Sequence, residues 1–171
     1  MILAGSIPSS LPDDVYERIL SMLDGKGIEF VVDATKDLLT NVLKYHPFLI
    51  KPNNFELGEI IGKTLKTDDE IYEGAVRLQE MGARNVLISM AGDGAMLVDE
   101  NGLKYRIGVP KGTVRNSVGA GDSMVAGFVA GYLKTKDYET ALKMGTAAGS
   151  ATAFSDGLAK AADIEKVLKE L

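Results

Sequence analysis

Residues 116–123, Asn116-Ser117-Val118-Gly119-Ala120-Gly121-Asp122-Ser123, run a glycine-rich turn straight into an apolar stretch with helical spacing. Glycines at 119 and 121 let the backbone turn tightly and come close to a ligand. The free N–H groups and the dipole of a helix start favour an anion at that point. Asp122 then sits in the first turn, where a phosphate would bind, placed to accept a proton from an alcohol attacking that phosphate. A plain helix N-cap turn with ordinary Gly and Asp satisfies the same four residues, and the stretch alone does not decide between the two readings.

Four more polar stops follow short apolar runs: Gly5-Ser6, Asp33, Lys51-Pro52-Asn53 and Ser89-Met90-Ala91-Gly92-Asp93-Gly94. In an open parallel sheet, ligands bind beyond the carboxyl ends of the strands, so parallel strands would line these stops along one edge. Better-known phosphate motifs fail. Gly62-Lys63-Thr64 has the end of a Walker A loop, but Leu57 stands where that loop needs glycine. Neither Gly92-Asp93-Gly94 nor Gly119-Ala120-Gly121 completes G-x-G-x-x-G. The spacings Gly127-x-x-x-Gly131 and Gly145-x-x-x-Gly149 read as close helix packing rather than as chemistry.

The elements that must position these residues alternate. Strands are expected at 1–4 (buried), 28–32, 48–50 and 86–89, and helices over 12–23, around 38–43, over 54–61 and from 68 to about 81. Thr67-Asp68-Asp69-Glu70 has the pattern of a capping box. Asn101-Gly102 between apolar runs at 95–98 and 103–107 signals a hairpin turn. Helices over 121–133, 138–154 and 164–171 complete the chain. The pattern calls for a three-layer α/β fold with a mainly parallel sheet and one antiparallel hairpin.

Composition narrows the function classes. The 171 residues carry 19 Lys+Arg against 24 Asp+Glu, a net charge of −5 with no block of like charge, which argues against a phosphate-held nucleic-acid binder. Zero cysteines remove disulfides, thiolate zinc sites and thiol catalysis. His46 is the single histidine, so a two-histidine metal site is impossible, and a solvated or locally bonded role is expected for it before Pro47. No apolar run approaches the roughly 20 residues that span a bilayer. Met1-Ile2-Leu3-Ala4-Gly5 lacks the basic start of a signal peptide, which makes the cytoplasm the expected compartment.

Residues 116–123, followed by Ala126-Gly127-Phe128-Val129, resemble the second signature of the PfkB (ribokinase-like) family of sugar kinases. Lys51-Pro52-Asn53-Asn54-Phe55-Glu56 is similar to that family's Lys-Pro-Asn-x-x-Glu segment, and 89–94 to its nucleotide loop Ser-Leu-Gly-x-x-Gly, with Met90 and Ala91 departing from it. Gly5-Ser6-Ile7-Pro8 resembles a Gly-Ser-Leu-Pro stretch of the phosphosugar branch. The resemblance implies ATP-dependent phosphorylation of a sugar phosphate, first fructose 1-phosphate to fructose 1,6-bisphosphate, with a tagatose-6-phosphate kinase or a non-catalytic nucleotide-binding module as alternatives. It implies Asp122 as general base and backbone N–H groups of Gly119, Ala120, Gly121 and Asp122 as an anion hole. Lys51 and Asn53 would serve ATP, with Ser89, Met90, Ala91, Gly92, Asp93 and Gly94 as the nucleotide loop. Glu56 and Asn53 would hold Mg²⁺ through water, although the same spacing also satisfies an N-cap Asn with a first-turn Glu, and Ser6 would touch the sugar phosphate or serve as a turn serine. Val109 and Pro110 either wall the adenine pocket or pack as core, and Asp33 stays unassigned between site edge and helix cap. Family chains are longer, so residues 1–171 are expected to be the C-terminal, nucleotide-binding portion of a ribokinase-like domain. The first strands and a lid are then missing, dimerisation would run through that lid, and the isolated piece would be inactive.

Overall fold

The computed structural model describes residues 1–8 and 10–171. Six strands form one sheet in the order β1-β2-β3-β4-β5-β6: β1 Ile2–Ala4, β2 Val31–Asp33, β3 Leu49–Ile50, β4 Asn85–Ser89, β5 Ala95–Val98 and β6 Lys104–Ile107. β1, β2, β3 and β4 pair in parallel, in registers Leu3↔Val32, Val32↔Ile50 and Ile50↔Val86. The links from β4 to β5 and from β5 to β6 are far shorter than a parallel crossover needs, so β5 runs antiparallel to both neighbours. Successive residues Val86, Leu87 and Ile88, and all of β5, are fully buried. Since alternate side chains point to opposite faces, both faces are covered, which is the three-layer α/β arrangement.

The chain forms two compact units, Met1–Ser89 with Leu97–Lys104, and Met90–Met96 with Tyr105–Leu171. In the first, helices α1 (Val15–Leu23), α2 (Lys36–Thr40), α3 (Asn54–Ile61) and α4 (Asp68–Glu80) make the crossovers between parallel strands. Leu20, Val32, Leu39, Leu49, Leu57 and Leu78 form its core with no exposure. α4 opens on the expected capping box: the Glu70 N–H donates to Thr67 Oγ1 at 3.2 Å, and Glu70 Oε2 accepts from the Lys66 and Thr67 N–H groups. The β5–β6 turn is closed by Asp99, whose Oδ1 accepts from the Asn101 and Leu103 N–H groups at 2.9 Å each.

The second unit packs α5 (Ala120–Thr135), α6 (Tyr138–Ala153) and α7 (Ala161–Leu168). A Cβ on Gly127 would lie 2.7 Å from the Ala148 Cβ, and one on Gly145 would lie 2.8 Å from the Met124 carbonyl oxygen. The glycine spacings therefore do what packing requires: they let α5 and α6 approach backbone to backbone.

Five expectations shift. The strand at 28–32 is confined to Val31–Asp33, and the helix around 38–43 ends at Thr40, followed by a separate 3₁₀ turn at Leu43–Tyr45. The strand at 1–4 is an edge strand rather than a buried one, with Ile2 50% exposed, because β1 pairs on one side only. α1 begins at Val15 instead of residue 12, since the chain first turns twice, Leu11 N–H to Pro8 O and Val15 N–H to Pro12 O. α7 begins at Ala161 instead of 164, where the Asp163 carboxylate accepts the Lys160 N–H at 3.2 Å.

Candidate functional site

In the first unit the strand ends gather polar residues. β2 ends on Asp33, and Lys51 follows β3 directly. The Val32↔Ile50 register, with the Lys51 N–H donating to Val32 O at 3.4 Å, sets the two side chains next to each other. Lys51 Nζ lies 3.2 Å from Asp33 Oδ1, with the two side chains 9% and 17% exposed. Gly5 at the end of β1 donates its N–H to Asp33 O at 3.0 Å. The Tyr16 hydroxyl, from α1, donates to Ala4 O at 2.9 Å and lies 3.1 Å from Gly5 O. Burial first, and the nearby Asp33 carboxylate second, push the Tyr16 phenol above its ordinary pKa. Ser6 follows on the exposed loop.

Asn53 and Glu56 start α3. Asn53 Oδ1 accepts from the Phe55 and Glu56 N–H groups at 2.9 Å each, and Glu56 Oε2 accepts the Asn53 N–H at 2.8 Å. This is the capping box that the Asn-x-x-Glu spacing also allows. Asn53 Oδ1 thereby uses both its lone pairs on the backbone, while Glu56 keeps its second carboxylate oxygen for other partners. Ser89, closing β4, donates its N–H to Pro52 O at 3.2 Å and forms a parallel bridge with Asn53. Lys51, Asn53, Glu56 and Ser89 are thus brought together with Asp33, a residue the sequence alone leaves unassigned. The available signal is that Asp33 and Lys51 each stop an apolar run.

In the second unit, Met90, Ala91, Gly92, Asp93 and Gly94 make a tight loop. Met90 N–H donates to Gly94 O at 2.8 Å, Asp93 N–H to Met90 O at 2.9 Å and Gly94 N–H to Ala91 O at 3.1 Å. Ala91 takes φ +46°, the left-handed region that favours glycine, so the alanine keeps a glycine-like turn at a strain of about 1–2 kcal/mol. Gly94 packs so closely on the end of β6 that a Cβ there would overlap the Ile107 carbonyl oxygen.

The turn into α5 is held from α6. The Arg115 and Asn116 N–H groups both donate to Ala153 O, at 2.8 and 3.2 Å, and Asn116 Oδ1 accepts the Val118 N–H at 3.0 Å. Gly119 then adopts φ +78°, and α5 starts at Ala120. A Cβ on Gly149 would lie 3.0 Å from Ala120 O, and Thr152 Oγ1 lies 2.9 Å from Ser123 Oγ, so the first turn of α5 rests on α6. The helix ladder begins with Ser123 N–H donating to Gly119 O at 2.9 Å, so the Gly121 and Asp122 N–H groups precede it; the Ala120 N–H, expected in the anion hole, instead donates to Ser117 O at 3.2 Å and closes the turn. Asp122 is exposed in that first turn, Val109 is exposed rather than packed as core, and Pro110 is buried. His46 is exposed, as a solvated role requires, its Nδ1 lies 3.1 Å from Gly82 O, 36 residues along the chain rather than local, and it takes no part in either group.

No helix among the described residues is long and apolar enough to cross a membrane. Nor do three or more His, Cys, Asp or Glu side chains gather among them as a metal-holding group.

Residues 1–165 match the model of the pfkB family carbohydrate kinase. The chain is 44% identical to a 1-phosphofructokinase of Bacillus subtilis over 100% of its own length and 56% of that protein. It is 33% identical to a D-tagatose-1-phosphate kinase of Bacillus licheniformis, again over 100% of this chain and 56% of the relative. A crystal structure of phosphofructokinase-2 from Escherichia coli, in complex with substrates and products, superposes with a TM-score of 0.91 at 27% identity, over 98% of this chain and 55% of that one. The chain therefore spans a little over half the length of the curated relatives it matches.

Proposed function

The chain belongs to the pfkB family of carbohydrate kinases, and on that basis we propose that it is the C-terminal, nucleotide-binding portion of an enzyme transferring the γ-phosphoryl group of ATP to a sugar phosphate. Fructose 1-phosphate, going to fructose 1,6-bisphosphate, is the acceptor best supported, through the 1-phosphofructokinase at 44% identity. A tagatose phosphate is the second acceptor, and the D-tagatose-1-phosphate kinase at 33% identity favours the 1-phosphate over the 6-phosphate.

One observation carries the reading: left-handed Gly119 opens α5 with Asp122 in its first turn, inside a chain matching the family model over residues 1–165. Phosphoryl transfer asks little covalent work of a protein; positioning and charge stabilisation dominate. Asp122 takes the proton of the attacking hydroxyl, and the N–H groups of Gly119, Gly121 and Asp122 receive the charge that develops on the phosphate, the Ala120 N–H being committed to Ser117 O. Lys51 contacts the ATP phosphates, and the loop from Ser89 through Met90, Ala91, Gly92 and Asp93 to Gly94 lines the nucleotide. Ser6 contacts the sugar phosphate. Mg²⁺, when bound, spreads the phosphate charge and keeps several waters. Glu56 would hold it through water with its second carboxylate oxygen, and Asn53, whose Oδ1 is spent on the helix N–H groups, keeps Glu56 in place through the capping box. Because the chain spans 56% of its relatives, the isolated 171 residues are proposed to bind MgATP without turnover.

The test is Asp122→Ala in the whole protein, assayed with ATP and fructose 1-phosphate. A loss of roughly 10²–10⁴-fold in kcat with ATP affinity within about twofold is expected. Retained turnover would place the base elsewhere.

A further inference from the structure

We infer that Asp33 is a positioning residue for Lys51 and acts on nucleotide binding only through it; this rests on the reading of Lys51 as a phosphate contact. Lys51 is 7% exposed, deeply buried for a residue whose four-carbon stem usually carries its charge into water. A Lys ammonium has three donors, and Asp33 Oδ1, 3.2 Å away, engages one of them. Asp33 is in turn seated on a fixed frame. Its carbonyl accepts the Gly5 N–H at 3.0 Å, and the Tyr16 hydroxyl ties the same end of β1 to α1.

Two opposite roles are open to a carboxylate beside a phosphate-binding lysine. It competes with the phosphate for the ammonium, in which case its removal tightens binding. Otherwise it holds the ammonium at the strand end, in which case its removal loosens binding. Burial decides for the second. A buried ammonium stripped of its counter-charge is strongly disfavoured, and a flexible lysine escapes that cost by swinging toward solvent, away from the strand ends.

The experiment titrates the 171-residue chain calorimetrically with MgATP and with AMP, for the unsubstituted chain, Asp33→Asn, Asp33→Glu, Lys51→Met and the Asp33→Asn/Lys51→Met pair. Asp33→Asn should weaken MgATP by about tenfold, the low end of what loss of an orienting partner costs a ligand group. AMP, lacking the outer phosphates, should shift less than about twofold, a contrast that general loosening of the fold would not produce. In the Lys51→Met background Asp33→Asn should add nothing further. Asp33→Glu keeps the charge but displaces it, and should give a smaller loss; it carries the test if the Asn variant does not fold. Unchanged or tighter MgATP binding in Asp33→Asn or Asp33→Glu, equal loss for ATP and AMP, or additivity with Lys51→Met each overturns the inference. A normal MgATP affinity in Lys51→Met overturns the Lys51 reading beneath it, as does an unsubstituted chain that binds no MgATP.

Discussion

Of two glycines in the 89–94 loop, only Gly94 should resist replacement by alanine. Gly94 has φ +92° and ψ −136°, a backbone region nearly closed to residues with a Cβ. An added Cβ would overlap the Ile107 carbonyl oxygen and come to 2.8 Å from the Gly108 Cα, so backbone rather than a flexible side-chain tip must move. Backbone strain of roughly 1–3 kcal/mol adds to an overpacking cost of similar size. A net loss of about 3 kcal/mol is a reasonable centre, and in a chain of this size it lowers Tm by roughly 6–12 °C. Gly92 has an ordinary φ, and a Cβ there would meet nothing within 4 Å, so Gly92→Ala should stay within about 0.5 kcal/mol of the unsubstituted chain. Thermal and urea unfolding followed by circular dichroism measures both. If Gly94→Ala melts within about 1 °C of the unsubstituted chain, or Gly92→Ala costs as much as Gly94→Ala, the loop geometry described above is wrong.

Two further outcomes concern helix starts. Asn53→Ala removes the acceptor for the Phe55 and Glu56 N–H groups and should cost about 1 kcal/mol in urea unfolding; a variant as stable as the parent contradicts the capping box. Glu70 is held below its ordinary pKa of 4.5, first by the Lys66 N–H and then by the Lys63 side chain. Folding thus favours its carboxylate, whose stabilisation is full above pH 4.5 and is lost as pH falls through the lowered value. The gap in Tm between the unsubstituted chain and Glu70→Gln should therefore close as pH drops below 4.5, and a gap constant with pH would refute it.

Local chemistry makes much of this fold legible in the sequence. The Asn53/Glu56 and Thr67/Glu70 boxes, the Asn101-Gly102 turn and the glycine spacings of α5 and α6 each act within a few residues or along one helix face. Their sequence pattern therefore already contains their structural cause. Pairing across the sheet is different. Asp33 and Lys51 meet because Val32 registers with Ile50, and no short stretch of either strand encodes that register. Burial at the sheet edge is hidden for the same reason: Ile2 is as apolar as a core residue, but composition does not say how many neighbours a strand has. Ala91 shows a third limit. Its left-handed φ emerges only in the folded chain, although a glycine is usual at that point of the family's loop.

The nucleotide-binding claim is tested most directly by calorimetric titration of the 171-residue chain with MgATP, beside Gly119→Val as a control in the turn that opens α5. Gly119 stands at φ +78°, and a Cβ there would lie 2.8 Å from Leu158 Cδ2, so a branched side chain distorts the proposed anion hole. Saturable one-to-one binding by the unsubstituted chain, lost or weakened at least about tenfold in a Gly119→Val chain that still folds, is the predicted result. Absence of MgATP binding by the unsubstituted chain, or equal binding by the two, would contradict the account.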